Sequence, residues 1–264
     1  MRLLERELRL ALMALQFLTR LPVPAWVGYE PALFRRAVRH FPLVGGLIGM
    51  ASAAVAVVGQ WVWSDAVAAT LAVAFTVWLT VALHEDGLAD SCDALMGATS
   101  REKALAIMKD SRIGSYGAAA LGLVLLLRVA LLAQLLACGA LAAAAALVAS
   151  HAAGRTLAVV LMHALPYAGD DAQAKTRSLT RTVQAFDVAW AVVAGALVLG
   201  LAAAMQAAPL TAGAAAVAVL VALFLGLRAW LRRRLQGHTG DTLGAAEQLG
   251  EVAVLLAMAA AVPR

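Results

Sequence analysis

Ten residues, His84-Glu85-Asp86-Gly87-Leu88-Ala89-Asp90-Ser91-Cys92-Asp93, concentrate four carboxylates in a chain that is 63% hydrophobic. On a helix turning about 100° per residue, Asp86, Asp90 and Asp93 fall at roughly 0°, 40° and −20°, sharing one narrow face over about 10 Å of axis. Three like charges at that spacing repel one another unless a cation sits among them. An oxygen-only donor set suits Mg²⁺, Mn²⁺ or Ca²⁺ rather than zinc, and such carboxylates commonly hold Mg²⁺ on substrate phosphates. A single Asp there would read as a solvated turn after an apolar helix; the full spacing predicts a metal site. Asp86, Asp90 and Asp93 are therefore the candidate catalytic residues and metal ligands.

Two further stretches carry chemistry of the same kind. Lys109-Asp110-Ser111-Arg112-Ile113-Gly114-Ser115-Tyr116-Gly117 sets two cations, two hydroxyls and two glycines where side chains and backbone can approach phosphate oxygens. Lys109, Asp110, Arg112, Gly114 and Gly117 are thus candidate substrate-binding residues. Gly237-His238-Thr239-Gly240-Asp241-Thr242-Leu243-Gly244-Ala245 precedes another apolar run, and Thr239 and Asp241 are candidates for a substrate clamp or a second ligand set. The bland alternative for Asp241 and Glu247 is partnership with a helix dipole. Within apolar runs lie Arg128, His151 and Arg155; ionisable groups there are costly and are functional candidates by default. Glu247 and Glu251 sit four apart on the first turns of the last apolar run. Arg128 either snorkels outward or pairs inside the bundle. Arg155, four residues from His151, either snorkels or joins the substrate site.

These residues must be positioned by membrane helices. The chain has 264 residues with 14% charged, and a mean hydropathy of +0.84. Apolar runs of about 20 residues recur between charges, the length that crosses a ~30 Å hydrocarbon core. We read an all-α polytopic bundle of about seven spans, near 43–63, 66–84, 115–136, 140–162, 188–206, 210–231 and 243–262. Residues 1–20 form an interfacial amphipathic helix rather than a cleavable signal, with Leu4, Leu8, Leu12 and Leu15 on one face and Arg2, Glu5, Arg6 and Arg9 on the other. The aspartate helix is expected to continue the second span into the cytoplasm. Gly45 and Gly49 have the spacing that seats a neighbouring helix closely. Thr99 and Glu102 predict a capping box opening a short helix through Lys109. The polar loop 163–187, with Asp170, Asp171, Lys175, Arg177, Arg181 and Asp187, either covers the site or is a solvated connector.

Net charge is +5, but all except two of the 21 Lys and Arg residues lie in segments assigned to one side, the exceptions being Arg128 and Arg264. That is the positive-inside pattern. It places the chemistry-bearing loops in the cytoplasm and gives no reason to expect nucleic acid. Cys92 and Cys138 fall on opposite sides and cannot pair within the chain, and no Cys/His cluster suggests zinc. His40 and His163 read as interfacial side chains.

The aspartate stretch resembles the DGxxDxxD core of cobalamin synthases, that is, adenosylcobinamide-GDP ribazoletransferases. Met108 to Gly117, Thr239 to Ala245 and Phe17-Leu18-Thr19-Arg20-Leu21-Pro22-Val23-Pro24 are similar to that family in the same order, so the likeness covers nearly the whole chain. Ala94 departs from it, where the family usually has Gly after the third Asp. The resemblance implies a single catalytic domain over residues 1–264 in a bacterial or archaeal inner membrane, acting in nucleotide-loop assembly of coenzyme B12. The implied reaction joins adenosylcobinamide-GDP to α-ribazole or its 5′-phosphate and releases GMP, with Mg²⁺ as cofactor. In that reaction Asp86, Asp90 and Asp93 would hold the metal on diphosphate oxygens, Lys109 and Arg112 would clamp equatorial oxygens, and Asp93 would accept the hydroxyl proton. Other late cobalamin-pathway enzymes are the implied partners, and small-residue faces permit a homo-oligomer.

Two rivals are weaker. A CDP-alcohol phosphotransferase of phospholipid synthesis would carry Ala-Arg after its Asp-Gly and a more distant second Asp pair, whereas Leu88-Ala89-Asp90 follows Asp86-Gly87 here. An ion-coupled transporter would place its charges near mid-membrane on broken helices, whereas these acids cluster at the cytoplasmic edge.

Overall fold

The structure is a computed structural model describing residues 3–169, 183–205 and 210–261. The described residues form eleven α-helices, and their only β feature is an isolated bridge between Tyr167 and His238. Six helices are long and apolar enough to cross a membrane, or seven if one bent pair counts as a span. The chain is a multi-pass, all-α membrane protein.

Helix α1 (Leu3–Leu18) lies at the start with two apolar faces. Leu10, Met13, Ala14 and Leu18 are buried against protein, while Leu4 and Leu8 are exposed. The leucine stripe read from the sequence is thus partly the lipid-facing side, and a second stripe does the docking. Helix α2 (Pro31–Ala37) opens on a proline and passes through a tight turn into α3 (Phe41–Gln60). Arg39 at that junction is buried, pairing with Glu7 of α1 and, at 3.2 Å, with Asp187. His40 also meets Glu7, so it is an internal tie rather than an interfacial side chain.

The second crossing is not straight. Helix α4 (Asp65–Leu79) ends where Val81 and Ala82 take left-handed conformations, φ 57° and 53°. The chain turns by 88° into α5 (Leu83–Gly97), which carries the aspartates. The expected straight continuation is therefore replaced by a sharp bend. Neither residue is Gly or Asn, so nothing in the sequence signals left-handed backbone there, and for β-branched Val81 it is a strained state.

Helix α6 (Arg101–Ile107) is capped by Ser100, whose hydroxyl accepts the Lys103 N–H. The cap is one residue later than expected, and the helix stops short of Lys109. Then α7 (Ser115–Cys138) and α8 (Ala140–Ala164) form a hairpin joined by Gly139 alone. Its φ of 135° is open only to glycine, and no neighbour crowds it. Cys138 sits exposed at this end. Helices α9 (Ala185–Met205), α10 (Leu210–Arg234) and α11 (Gly240–Ala261) complete the bundle. Asp187 lies in the first turn of α9, while Asp170, Asp171, Lys175, Arg177 and Arg181 fall outside the described residues, as does Arg264.

The bundle's centre is a seam of small residues. A Cβ on Gly49 would lie 2.6 Å from the Leu147 carbonyl, and one on Gly154 would lie 2.6 Å from the Glu247 carbonyl. Gly250 faces Gly154, and Gly244 faces Gly87. Backbones of α3, α8, α11 and α5 therefore touch in turn, as the Gly45/Gly49 spacing predicts for its own pair.

Candidate active site

All three aspartates lie on α5, and its buried side is the other one: His84, Glu85, Gly87, Leu88, Ala89, Ser91, Ala94 and Leu95. Asp86 is exposed, and Asp90 and Asp93 are half-buried. The carboxylate face read from the spacing is thus the open face. Glu85 and Asp86 are neighbours that serve opposite sides of the helix.

Asp93 is held by the start of α7. Its Oδ2 accepts the Gly114 N–H at 2.7 Å and its Oδ1 the Gly117 N–H at 2.8 Å. Both glycines are required by this fit, since a Cβ on either would collide with the carboxylate. A Cβ on Gly117 would also lie 2.8 Å from the Ala89 carbonyl. Asp86, by contrast, has no hydrogen-bond or ion-pair partner for its carboxylate among the described residues.

The second loop arrives from the far end of the sequence. Arg234 donates to the Leu95 and Ala98 carbonyls at 2.9 and 2.7 Å. Arg101 donates to the Leu235 and Ala168 carbonyls, both at 2.8 Å. Buried His238 bridges to Pro166 and Ala168 through its backbone, and its burial pushes its imidazole down to about 4. These clasps bring Asp241 beside the aspartate helix: a Cβ on Gly87 would lie 2.7 Å from the Asp241 carbonyl. The aspartate helix is therefore met by the start of α7, at Gly114 and Gly117, and by the start of α11, at Asp241.

Other candidates are placed differently. Thr239 caps α11: its hydroxyl accepts the Thr242 N–H at 3.2 Å, and Thr242 returns a hydroxyl acceptor to the Thr239 N–H at 2.9 Å. Its hydroxyl also points at the Met108 sulfur. A Thr-x-x-Thr reciprocal cap was present in the sequence, and it accounts for this residue without a phosphate. Arg112 is 87% exposed and forks onto Asp110, which that guanidinium holds down at about 2. The pair is a closed unit in the loop rather than a clamp aimed at α5.

Arg155 lies elsewhere. It is buried in a polar network that sequence reading found only piecemeal, pairing with Glu247 at 2.5 Å and Glu251 at 2.9 Å. It lies inside the bundle rather than snorkelling outward. His151 meets Glu251. Arg128 reaches Glu251 at 2.8 Å, Gln248 at 2.9 Å and Glu85 at 3.2 Å, so it pairs inside the bundle. Sequence reading missed Glu85 and Gln248 as members. Glu85 lies about 100° round the helix from Asp86, which was the available signal.

Among the described residues, His151, Glu247 and Glu251 alone bring three ligand-type atoms within 4.8 Å of one another. Arg128 and Arg155 already neutralise that group. The aspartates of α5 are not so converged, and a cation among them would need oxygens from elsewhere to complete its shell, as Mg²⁺ on a phosphate substrate does.

Comparison with known proteins identifies the family. The family model for cobalamin-5-phosphate synthase matches residues 10–259. An adenosylcobinamide-GDP ribazoletransferase of Leptothrix cholodnii is 47% identical over 260 residues, covering 97% of each chain. Proteins of the same name from Shewanella amazonensis and Polaromonas naphthalenivorans are 40% and 41% identical, covering 96% and 94% of this chain and 96% of each relative. No solved structure matches. The chain belongs to the cobalamin-5-phosphate synthase family.

Proposed function

We propose that this protein joins adenosylcobinamide-GDP to α-ribazole, or to its 5′-phosphate, and releases GMP, from the cytoplasmic face of a bacterial inner membrane. The observation that carries the reading is the meeting of the aspartate helix with the start of α11 at Asp241, with Asp93 cradled by Gly114 and Gly117. Relatives so alike in sequence bear the name of this activity.

The donor set suits Mg²⁺: hard carboxylate oxygens, one carboxylate (Asp86) without a partner among the described residues and another (Asp93) fixed by two amides. Asp86, Asp90 and Asp93 would hold the ion, with Asp241 as a further ligand or a hold on a ribose hydroxyl. When bound, Mg²⁺ would neutralise charge on the diphosphate and on departing GMP. Both Asp93 oxygens already accept an N–H, which leaves them fewer lone pairs for a substrate hydroxyl. Asp86, with no partner among the described residues, keeps an oxygen beyond the one it would give the ion and is better suited than Asp93 to take the ribazole proton. Lys109 and exposed Arg112 can meet an incoming diphosphate, Arg112 by exchanging Asp110 for it. The first turn of α11 offers backbone N–H groups to an anion.

Purified protein in vesicles, given adenosylcobinamide-GDP, α-ribazole and Mg²⁺, should release GMP. Asp86→Ala, Asp90→Ala and Asp93→Ala should each abolish release while inserting normally. Undiminished turnover in excess EDTA, or in any two of these variants, would remove the metal from the reading.

A further inference from the structure

Helix α5 buries small residues, Gly87, Ala89, Ser91 and Ala94, beside two leucines, Leu88 and Leu95. The small residues bring backbones close but carry no side-chain bond that specifies the rotation of the helix about its axis. A rotation of a few tens of degrees would carry Asp86 and Asp90 off the open face. Directional side-chain bonds help fix that angle, and two of them lie toward opposite ends of the helix. One is Asp93, held by the Gly114 and Gly117 amides. The other is Glu85, eight residues earlier and about 12 Å away along the axis. Its Oε1 accepts from Arg128 at 3.2 Å and from Gln248 at 3.1 Å.

The second anchor is stiff because its donors are themselves held. The Arg128 guanidinium also donates to the Gln248 side-chain oxygen at 2.9 Å and forms an ion pair with Glu251 at 2.8 Å. Glu251 in turn meets Arg155 and His151 of α8. Each of these side chains is buried to 98% or more, apart from Glu85 at 3% exposed. Buried ion pairs seldom add stability over apolar packing of equal volume. Their directional strength is what apolar packing lacks.

We propose that Glu85 is a positioning residue for the reaction: Arg128 and Gln248, acting through it, set the rotation of α5 so that Asp86 and Asp90 present their carboxylates to metal and diphosphate. This rests on the reading of the aspartate face as the metal and phosphate site. Arg128, inside an apolar span, thereby contributes to the site through Glu85.

The test is Mn²⁺ binding to the purified protein without substrate, followed by electron paramagnetic resonance, beside the Mg²⁺ activation constant and backbone hydrogen exchange of residues 86–93. Glu85→Ala should weaken Mn²⁺ binding at least about tenfold, raise the Mg²⁺ activation constant in step and speed exchange. Glu85→Gln keeps an acceptor oxygen for both donors and should restore most of the affinity. Should Glu85→Ala fail to fold, Gln248→Ala removes one donor without stranding a charge and should move the same constants several-fold. Wild-type Mn²⁺ affinity in whichever of the two variants folds, whatever its melting temperature, overturns the proposal. Asp86→Asn on the same preparation separates the two claims. If it leaves Mn²⁺ binding unchanged, the metal reading itself falls; if it abolishes binding while Glu85→Ala does not, only the positioning role falls.

Discussion

Gly117→Ala adds one methyl group, and the surroundings of that methyl define what it should do. The new Cβ would overlap the Asp93 carboxylate and lie 2.8 Å from the Ala89 carbonyl, where ordinary contact begins at 3.4 Å. Helices α5 and α7 must part by about 0.6 Å for the carbonyl alone, and Asp93 must move further. The Gly117 N–H bond to Asp93, 2.8 Å long, is then lost. A hydrogen bond to a charged group contributes about 1.5–3 kcal/mol, equivalent to a factor of roughly 10–150 in rate if the loss falls on the transition state. Misplacing a reacting group by about 1 Å costs about 10²-fold, so both routes give the same order. GMP release should therefore fall by about 10- to 100-fold, with the protein still inserted and folded by thermal melting. Gly122→Ala, on the same helix with open space around it, is the control and should leave release unchanged. Wild-type turnover in Gly117→Ala would show that Asp93 need not be held where it is, and the cradle argument would fail.

Three further outcomes are expected. His238 is neutral in the fold down to about pH 4 against an ordinary 6.5, so the unfolded chain binds the extra proton between these values; stability is full above pH 6.5 and declines by about 3 kcal/mol towards pH 4. Melting curves from pH 7 to 4.5 should show this slope, flattened in His238→Gln; equal slopes would clear His238 of the effect. Exposed Cys138 should react with an impermeant maleimide from the periplasm and Ser100→Cys from the cytoplasm, and the reverse result would invert the topology. Asp241→Asn should raise the Mg²⁺ requirement more than the KM for ribazole if Asp241 binds metal, and the opposite if it holds substrate. Normal kinetics for all three ligands would leave Asp241 a helix-terminal residue with no part in the site.

Much of this site was legible because helical periodicity is local. Asp86, Asp90 and Asp93 share a face by spacing alone, and α5 keeps that face open. Gly45 and Gly49 likewise announced a close helix contact, since small residues four apart leave little else to do. The bend at Val81 and Ala82 was not legible, because tertiary packing imposes left-handed backbone there on residues with no preference for it. Arg128, His151 and Arg155 stood out as costly in apolar runs, and Glu247 and Glu251 as a pair four apart, but which cation meets which acid depends on the crossing of α5, α7, α8 and α11. Glu85 was hidden by its neighbour Asp86, from which only the helical angle distinguishes it. Thr239 and Arg112 have polar side chains of the kind that bind phosphate, and the sequence did not show that each has a partner close by, a helix cap for one and Asp110 for the other.

The glycine seam linking α3, α8, α11 and α5 carries a mechanical consequence. Where side chains meet, a shifted helix is absorbed by rotamer changes in between. Where backbone meets backbone, as at Gly49, Gly154, Gly250, Gly244 and Gly87, there is no such cushion, and displacement passes on at nearly full amplitude. A bilayer that is too thick or too thin tilts its spans, and here a tilt of α3 would reach the aspartate helix through three rigid contacts. The lipid thickness then acts as a load on the reaction geometry. Turnover in vesicles of graded acyl length should pass through a sharp optimum, and a flat profile would mean that the seam slides instead of transmitting.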